Sequence, residues 1–150
     1  VSTVRILGIG SPSGDDQAGW LTVDALLADG VHTDGKIFIE KLDRPGANLI
    51  HHLDGASRVI LIDATQGNGR IGEIQRFDQK DWPGYSHGLS SHGFGVLAAL
   101  MLARELGSLP PRLDLYGIEI GAALPGADTG HEVQAAAQRL AAMIVSSLEE

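Results

Sequence analysis

The chain has 150 residues, 43% of them hydrophobic and 20% charged, with a net charge of -8 and no cysteine. This describes one soluble globular domain, residues 1–150, long enough to bury about 68–70% of its unfolded surface. The acidity argues against nucleic acid as the main partner, and the missing cysteines remove disulfides and a thiol nucleophile. No apolar run approaches the roughly 18 residues of a membrane span, and the N-terminus lacks a signal-peptide pattern, so a cytoplasmic location is expected.

The first strand is expected from about Thr3 to Gly10. Its apolar run, Val4, Ile6, Leu7 and Ile9, suits a central parallel strand covered on both faces. A loop rich in Gly, Ser and Pro then leads to Asp15 and Asp16, placed where a helix start favours negative charge. The helix runs to about Ala28, ending at Asp29-Gly30. Lys36–Leu42 reads as the second strand, closed by the turn Asp43-Arg44-Pro45-Gly46, and a short helix spans about Ala47 to Leu53. Arg58–Ala64 is the most hydrophobic strand; its β-branched residues favour a central position, and Asp63 stands near its end.

Ile71–Phe77 alternates like a half-buried strand, antiparallel at an edge. Asp78–Ser91, with Trp82, Tyr85 and His87, shows no period and reads as a surface loop. Its two aromatic residues fit either a partner's anchor or a pin for the loop itself. Ser90-Ser91-His92-Gly93 opens a helix that runs to about Leu106 and stops at Gly107. Leu113–Ile120 is the last strand, with Glu119 at its end. Thr129-Gly130-His131-Glu132 fits a capping box, and Val133, Ala136, Leu140, Ile144 and Leu148 form one face of the final helix. Alternating strands and helices predict an α/β domain with a mostly parallel sheet between helix layers.

Sites in such folds lie beyond the carboxyl ends of the strands. Asp15 and Asp16 follow the first strand, Asp63 ends the third, and His92 precedes a helix in the same layer. Singly, each has an ordinary structural reading as a cap, a turn residue or a packed histidine. Together, two oxygen ligands and one nitrogen ligand with open positions suit a divalent transition metal that must also accept something else. On chemistry alone the two readings stand level. Glu119 at the same edge reads equally as a functional acid or as a partner for a backbone donor or Arg44. His51 and His52 read as solvated, His131 fits a helix first turn, and His87 reads either as a group that supports the site or, the favoured reading, as one with no role. Gly-x-Ser-x-Gly and the Walker pattern are absent, and Gly8-x-Gly10-x-x-x-Gly14 matches the dinucleotide fingerprint poorly.

The order and spacing of several motifs resemble the hydrogenase maturation endopeptidases of nickel–iron hydrogenases over nearly the whole chain. The motifs are Gly8-x-Gly10, Asp15-Asp16 with Gly19, the strand ending in Asp63-Ala64, Ile71-Gly72-Glu73-Ile74, Ser91-His92 with Gly95, and Gly117-Ile118-Glu119. The resemblance implies a single α/β/α domain with a twisted five-stranded sheet. It implies that Asp16, Asp63 and His92 form the catalytic and metal site and engage nickel carried by the precursor of the hydrogenase large subunit. The precursor then loses a C-terminal extension. The departures are Ser11 where the family often has Asn, a loop to Asp16 one residue shorter, and Arg44-Pro45-Gly46 in place of a Gly-Thr-x-Gly turn implicated in substrate handling. Two rival readings predict different behaviour: a nucleotide- or cofactor-binding α/β module, and a chaperone that binds the precursor without cutting it.

Overall fold

The computed structural model of the chain describes residues 3–12, 17–31, 33–66, 70–82, 93–120 and 130–148. Their strands are β1 (Val4–Gly10), β2 (Ile37–Asp43), β3 (Arg58–Thr65), β4 (Ile74–Phe77) and β5 (Arg112–Glu119). Their helices are α1 (Ala18–Ala28), the single turn α2 (Ile50–Leu53), α3 (Gly93–Glu105) and α4 (His131–Leu148). The sheet order is β2-β1-β3-β5-β4, parallel except for β4, which pairs antiparallel with β5 at one edge. The expected class, the edge strand and its direction are all present.

Alternation along the strands builds two cores. Ile6, Ile60, Ile62, Tyr116 and Ile118 face α1 and α4, while Leu7, Ile9, Val59, Leu61 and Leu115 face α2 and α3. All eight residues of β3 are buried, which explains its continuous run of Val, Ile and Leu. On α4, Val133, Ala136, Leu140 and Ile144 are buried at helical spacing, and Leu148 packs against the same core. Two helices end as a left-handed glycine permits: Gly30 has φ 93° with Val31 N–H donating to Leu26 O (3.0 Å), and Gly107 has φ 68° with Ser108 N–H donating to Ala103 O (2.8 Å).

Two segments differ from the sequence reading. The strand expected from Ile71 starts at Ile74, because Gly72 turns the chain at φ 90°. The stretch after Asp78 is not all surface loop. Gln79–Asp81 forms a 3-10 turn, and Trp82 is 3% exposed in the core under α3, with the Arg104 guanidinium 5.2 Å from its ring centroid. Trp82 therefore pins its own segment. Tyr85 and His87 lie outside the described residues.

The amino end of the sheet holds a buried ion-pair network that the sequence did not announce. Asp114 on β5 is 1% exposed and accepts hydrogen bonds from Arg58 Nε (2.9 Å) and Arg76 Nη2 (2.8 Å), with Arg112 Nε at 3.5 Å. Burial pushes the Asp114 carboxyl up, but the hydrogen bonds and charges of Arg76 and Arg58 together outweigh it and hold the group below its ordinary value. Burial, with the Asp114 charge, also raises the Tyr116 phenol. This network ties β3, β4 and β5 together by gathering three guanidinium groups around one carboxylate.

Candidate functional site at the carboxyl rim of the sheet

Chain order creates a crevice between β1 and β3. From β1 the chain crosses one face through α1 to β2; from β2 it crosses the other face through α2 to β3, on the far side of β1. The carboxyl ends of β1 and β3 thus flank a point where the strand order reverses, the usual ligand position in this class. Two glycines bring α1 into that crevice. A Cβ on Gly19 would lie 2.6 Å from Ile62 O and 2.8 Å from Ile9 N, and one on Gly8 would lie 2.5 Å from Gly19 O. Around Gly19 the three nearest atoms are all backbone, so no side chain can move aside there; Gly8 also meets Val23 Cγ2 at 2.7 Å. Gly19→Ala is expected to cost about 1–3 kcal/mol, the usual range for overpacking, read as a lower urea midpoint. An unchanged midpoint would mean that α1 does not sit this close to the strands.

The carboxyl rim collects buried polar groups. Ser11, Asp63, Thr65 and Glu119 are all buried there. Asp63 is 0% exposed, and alternation with Leu61 puts it on the face that carries α3. Its Oδ1 accepts the Ala64 N–H at 2.8 Å. A carboxylate this deep is costly unless donors or a cation compensate it, and the Ala64 N–H is one such donor. Gly117 lies opposite Asp63 on β5, and Glu119 opposite Thr65. Glu119 shares the parity of Leu115, so it lies on the same face as Asp63. A Cβ on Gly117 would meet Thr65 Cγ2 at 2.7 Å and Phe77 Cε2 at 3.0 Å, so the glycine leaves room for both.

The main chain at Glu119 is held from both sides. Its N–H donates to Glu73 O and its carbonyl accepts from Gly72 N–H, both at 2.8 Å, while Ile120 N–H donates to Thr65 O at 2.9 Å. Arg44, an expected partner for Glu119, pairs instead with Asp43 at 2.8 Å on the exposed surface. Arg44 has φ 45°, a left-handed backbone for a side chain that precedes proline.

Of the three site residues expected from sequence, Asp63 is at the carboxyl rim. Asp16 and His92 lie outside the described residues, as do Asp15, Ser91 and Thr129 of the expected capping box. Among the described residues, no three His, Asp or Glu side chains gather as a metal site. The described helices next to these positions start at Ala18 and Gly93. The first is held at the β1–β3 crevice by Gly19. The second leads, through Gly107 to Pro111, into the amino end of β5, so its own start lies toward the carboxyl rim. His51 and His131 are exposed, and His52 is half-buried with Nδ1 4.0 Å from Glu40. The sequence signal for Thr65 is a second polar residue two positions beyond Asp63, after the apolar run Val59–Ile62. Among the described residues, no helix is long and apolar enough to cross a membrane.

Residues 45–147 match the family profile HycI, described as hydrogenase maturation protease. A comparison with curated protein sequences gives no significant match. Among solved structures, the chain is similar to the hydrogenase maturating endopeptidase HybD from E. coli, with a TM-score of 0.83 and 21% identity over 98% of this chain and 92% of that one. The [NiFe] hydrogenase maturation protease HybD from Thermococcus kodakarensis gives 0.75 and 23% over 99% of both chains. A [NiFe] hydrogenase maturation protease HycI from Thermococcus kodakarensis KOD1 gives 0.69 and 22% over 99% of this chain and 94% of the other. At these identities the solved structures speak for the fold, while the profile match covers more than half of the chain.

Proposed function

Because the chain belongs to the hydrogenase maturation protease family, we propose that it is an endopeptidase that removes the C-terminal extension of a nickel-loaded nickel–iron hydrogenase large-subunit precursor. Asp16, Asp63 and His92 engage the nickel that the precursor carries. The metal thereby positions the cleavage site and reports that loading is complete. The observation that carries this reading is Asp63: a fully buried carboxylate at the strand-order reversal, with Thr65 and Glu119 beside it. Two hard oxygens and an imidazole match a borderline divalent ion and leave positions for the precursor's own ligands.

With no cysteine in the chain and no serine elbow motif, the attacking group is water, polarised by the metal or by a carboxylate. Recognition requires a folded protein partner, because a free peptide would lack the nickel. The net charge of -8 favours a complementary surface on that partner.

The test is incubation of the purified protein with purified nickel-loaded precursor, followed by intact-mass measurement. The expected product is a large subunit shorter by one C-terminal segment. A precursor that is bound but stays full length would make the protein a chaperone. A melting temperature raised by a nucleotide, with no cleavage, would favour a nucleotide-binding module instead.

A further inference from the structure

We infer that Glu119 is the catalytic proton carrier of the cleavage, accepting the proton of the attacking water and delivering it to the departing amine. The inference rests on the peptidase reading and assigns the step left open there.

Four observations converge on this residue. Glu119 is 5% exposed, so its carboxylate sits among side chains and not in bulk water. It follows Gly117 on the same face of β5, and Gly117 is the residue opposite Asp63. Strand spacing and rise then put the Asp63 and Glu119 Cα atoms about 8 Å apart on the diagonal, a gap that an Asp and a longer Glu side chain can narrow to the width of a water. The Glu119 main chain is fixed by its own hydrogen bonds to Gly72 and Glu73, which fixes where the side chain starts. Finally, Asp63 Oδ1 is tied to the Ala64 N–H, which suits an oriented ligand better than a group that must gain and lose a proton.

The chemistry balances without another reagent. The water oxygen bonds to the scissile carbonyl carbon as one of its O–H bonds breaks, and that proton passes to a Glu119 carboxylate oxygen. The C–N bond then breaks, its electron pair stays on nitrogen, and Glu119 returns the proton to that nitrogen. One water is consumed, and a carboxyl and an amine terminus are formed. General acid–base transfer of this kind contributes about 10²–10⁴-fold.

The test compares wild type, Glu119→Gln and Glu119→Ala on nickel-loaded precursor. Glu119→Gln is expected to lower kcat at least about 100-fold with KM and thermal midpoint near wild type. Glu119→Ala is expected to regain activity when formate or acetate is added, a response that a packing role would not give. Wild-type kcat in Glu119→Gln would overturn the assignment, as would loss of precursor binding together with a lowered midpoint, which would make Glu119 structural. If wild type itself leaves the precursor intact, the peptidase reading fails, and that result is separate from any behaviour of the variants.

Discussion

Asp63→Asn is expected to reduce precursor cleavage on the order of 10³-fold, equivalent to about 4 kcal/mol of transition-state stabilisation, while the protein stays folded. The substitution keeps the shape of a side chain at 0% exposure and one oxygen that can still accept the Ala64 N–H. It removes the negative charge that would meet the precursor's nickel. If the proposed ligand set holds, Asp16→Ala and His92→Ala are expected to have effects of the same order, because loss of any one ligand would release the metal from the geometry that presents the scissile bond. Cleavage rates by intact mass, with circular dichroism to confirm the fold, check all three. Full activity in any one of them would remove that residue from the site.

Asp114→Ala is expected to have the largest effect on stability, lowering it by about 3–5 kcal/mol, the usual cost of removing one partner of a buried ion pair. The loss strands Arg58, whose side chain is 9% exposed, and frees Arg76 and Arg112 to repel one another. The same network sets an acid dependence. Against the opposing effect of burial, hydrogen bonds and charge from Arg76 and Arg58 depress the Asp114 carboxyl. A depressed carboxyl contributes stability above its unfolded value near 4, and that contribution is lost as pH falls through the lower folded value. Asp114→Asn should therefore flatten the acid limb of a stability–pH curve, with little change in its slope above pH 5. A variant as acid-sensitive as wild type would assign that limb to other groups. The network is at the amino end of the sheet, so cleavage by the folded variant should stay close to wild type.

The sequence carries most of the fold because its local signals agree with its packing. The apolar runs of β1 and β3 demand two covered faces, the 3.6-residue period of α4 lies on the sheet, and Gly30 and Gly107 stop helices where left-handed backbone is needed. What stayed hidden depends on contacts between distant segments. Nothing near Asp114 in sequence announces Arg58 or Arg76, which arrive from other strands. Trp82 stands in an aperiodic stretch, so its burial follows from the helix packed over it, not from any local pattern. Asp63 is legible in the sequence as a candidate because an acid at the end of an apolar strand is conspicuous, and the fold buries it at the carboxyl rim. Glu119 stays ambiguous in the sequence because an acid at a strand end serves equally well as a partner for a backbone donor or for a surface arginine; the Arg44–Asp43 pair bears only on the arginine. Gly19 stands in a sequence motif; its physical reason, a helix backbone pressed against two strand carbonyls, needs the third dimension.

The most direct measurement sets one precursor against itself, loaded with nickel and free of it, with the same enzyme and an intact-mass readout. Only the loaded form should be shortened, and Asp63→Asn should leave it full length. Equal shortening of both forms would contradict the account, because the rim acids would then have no metal to read.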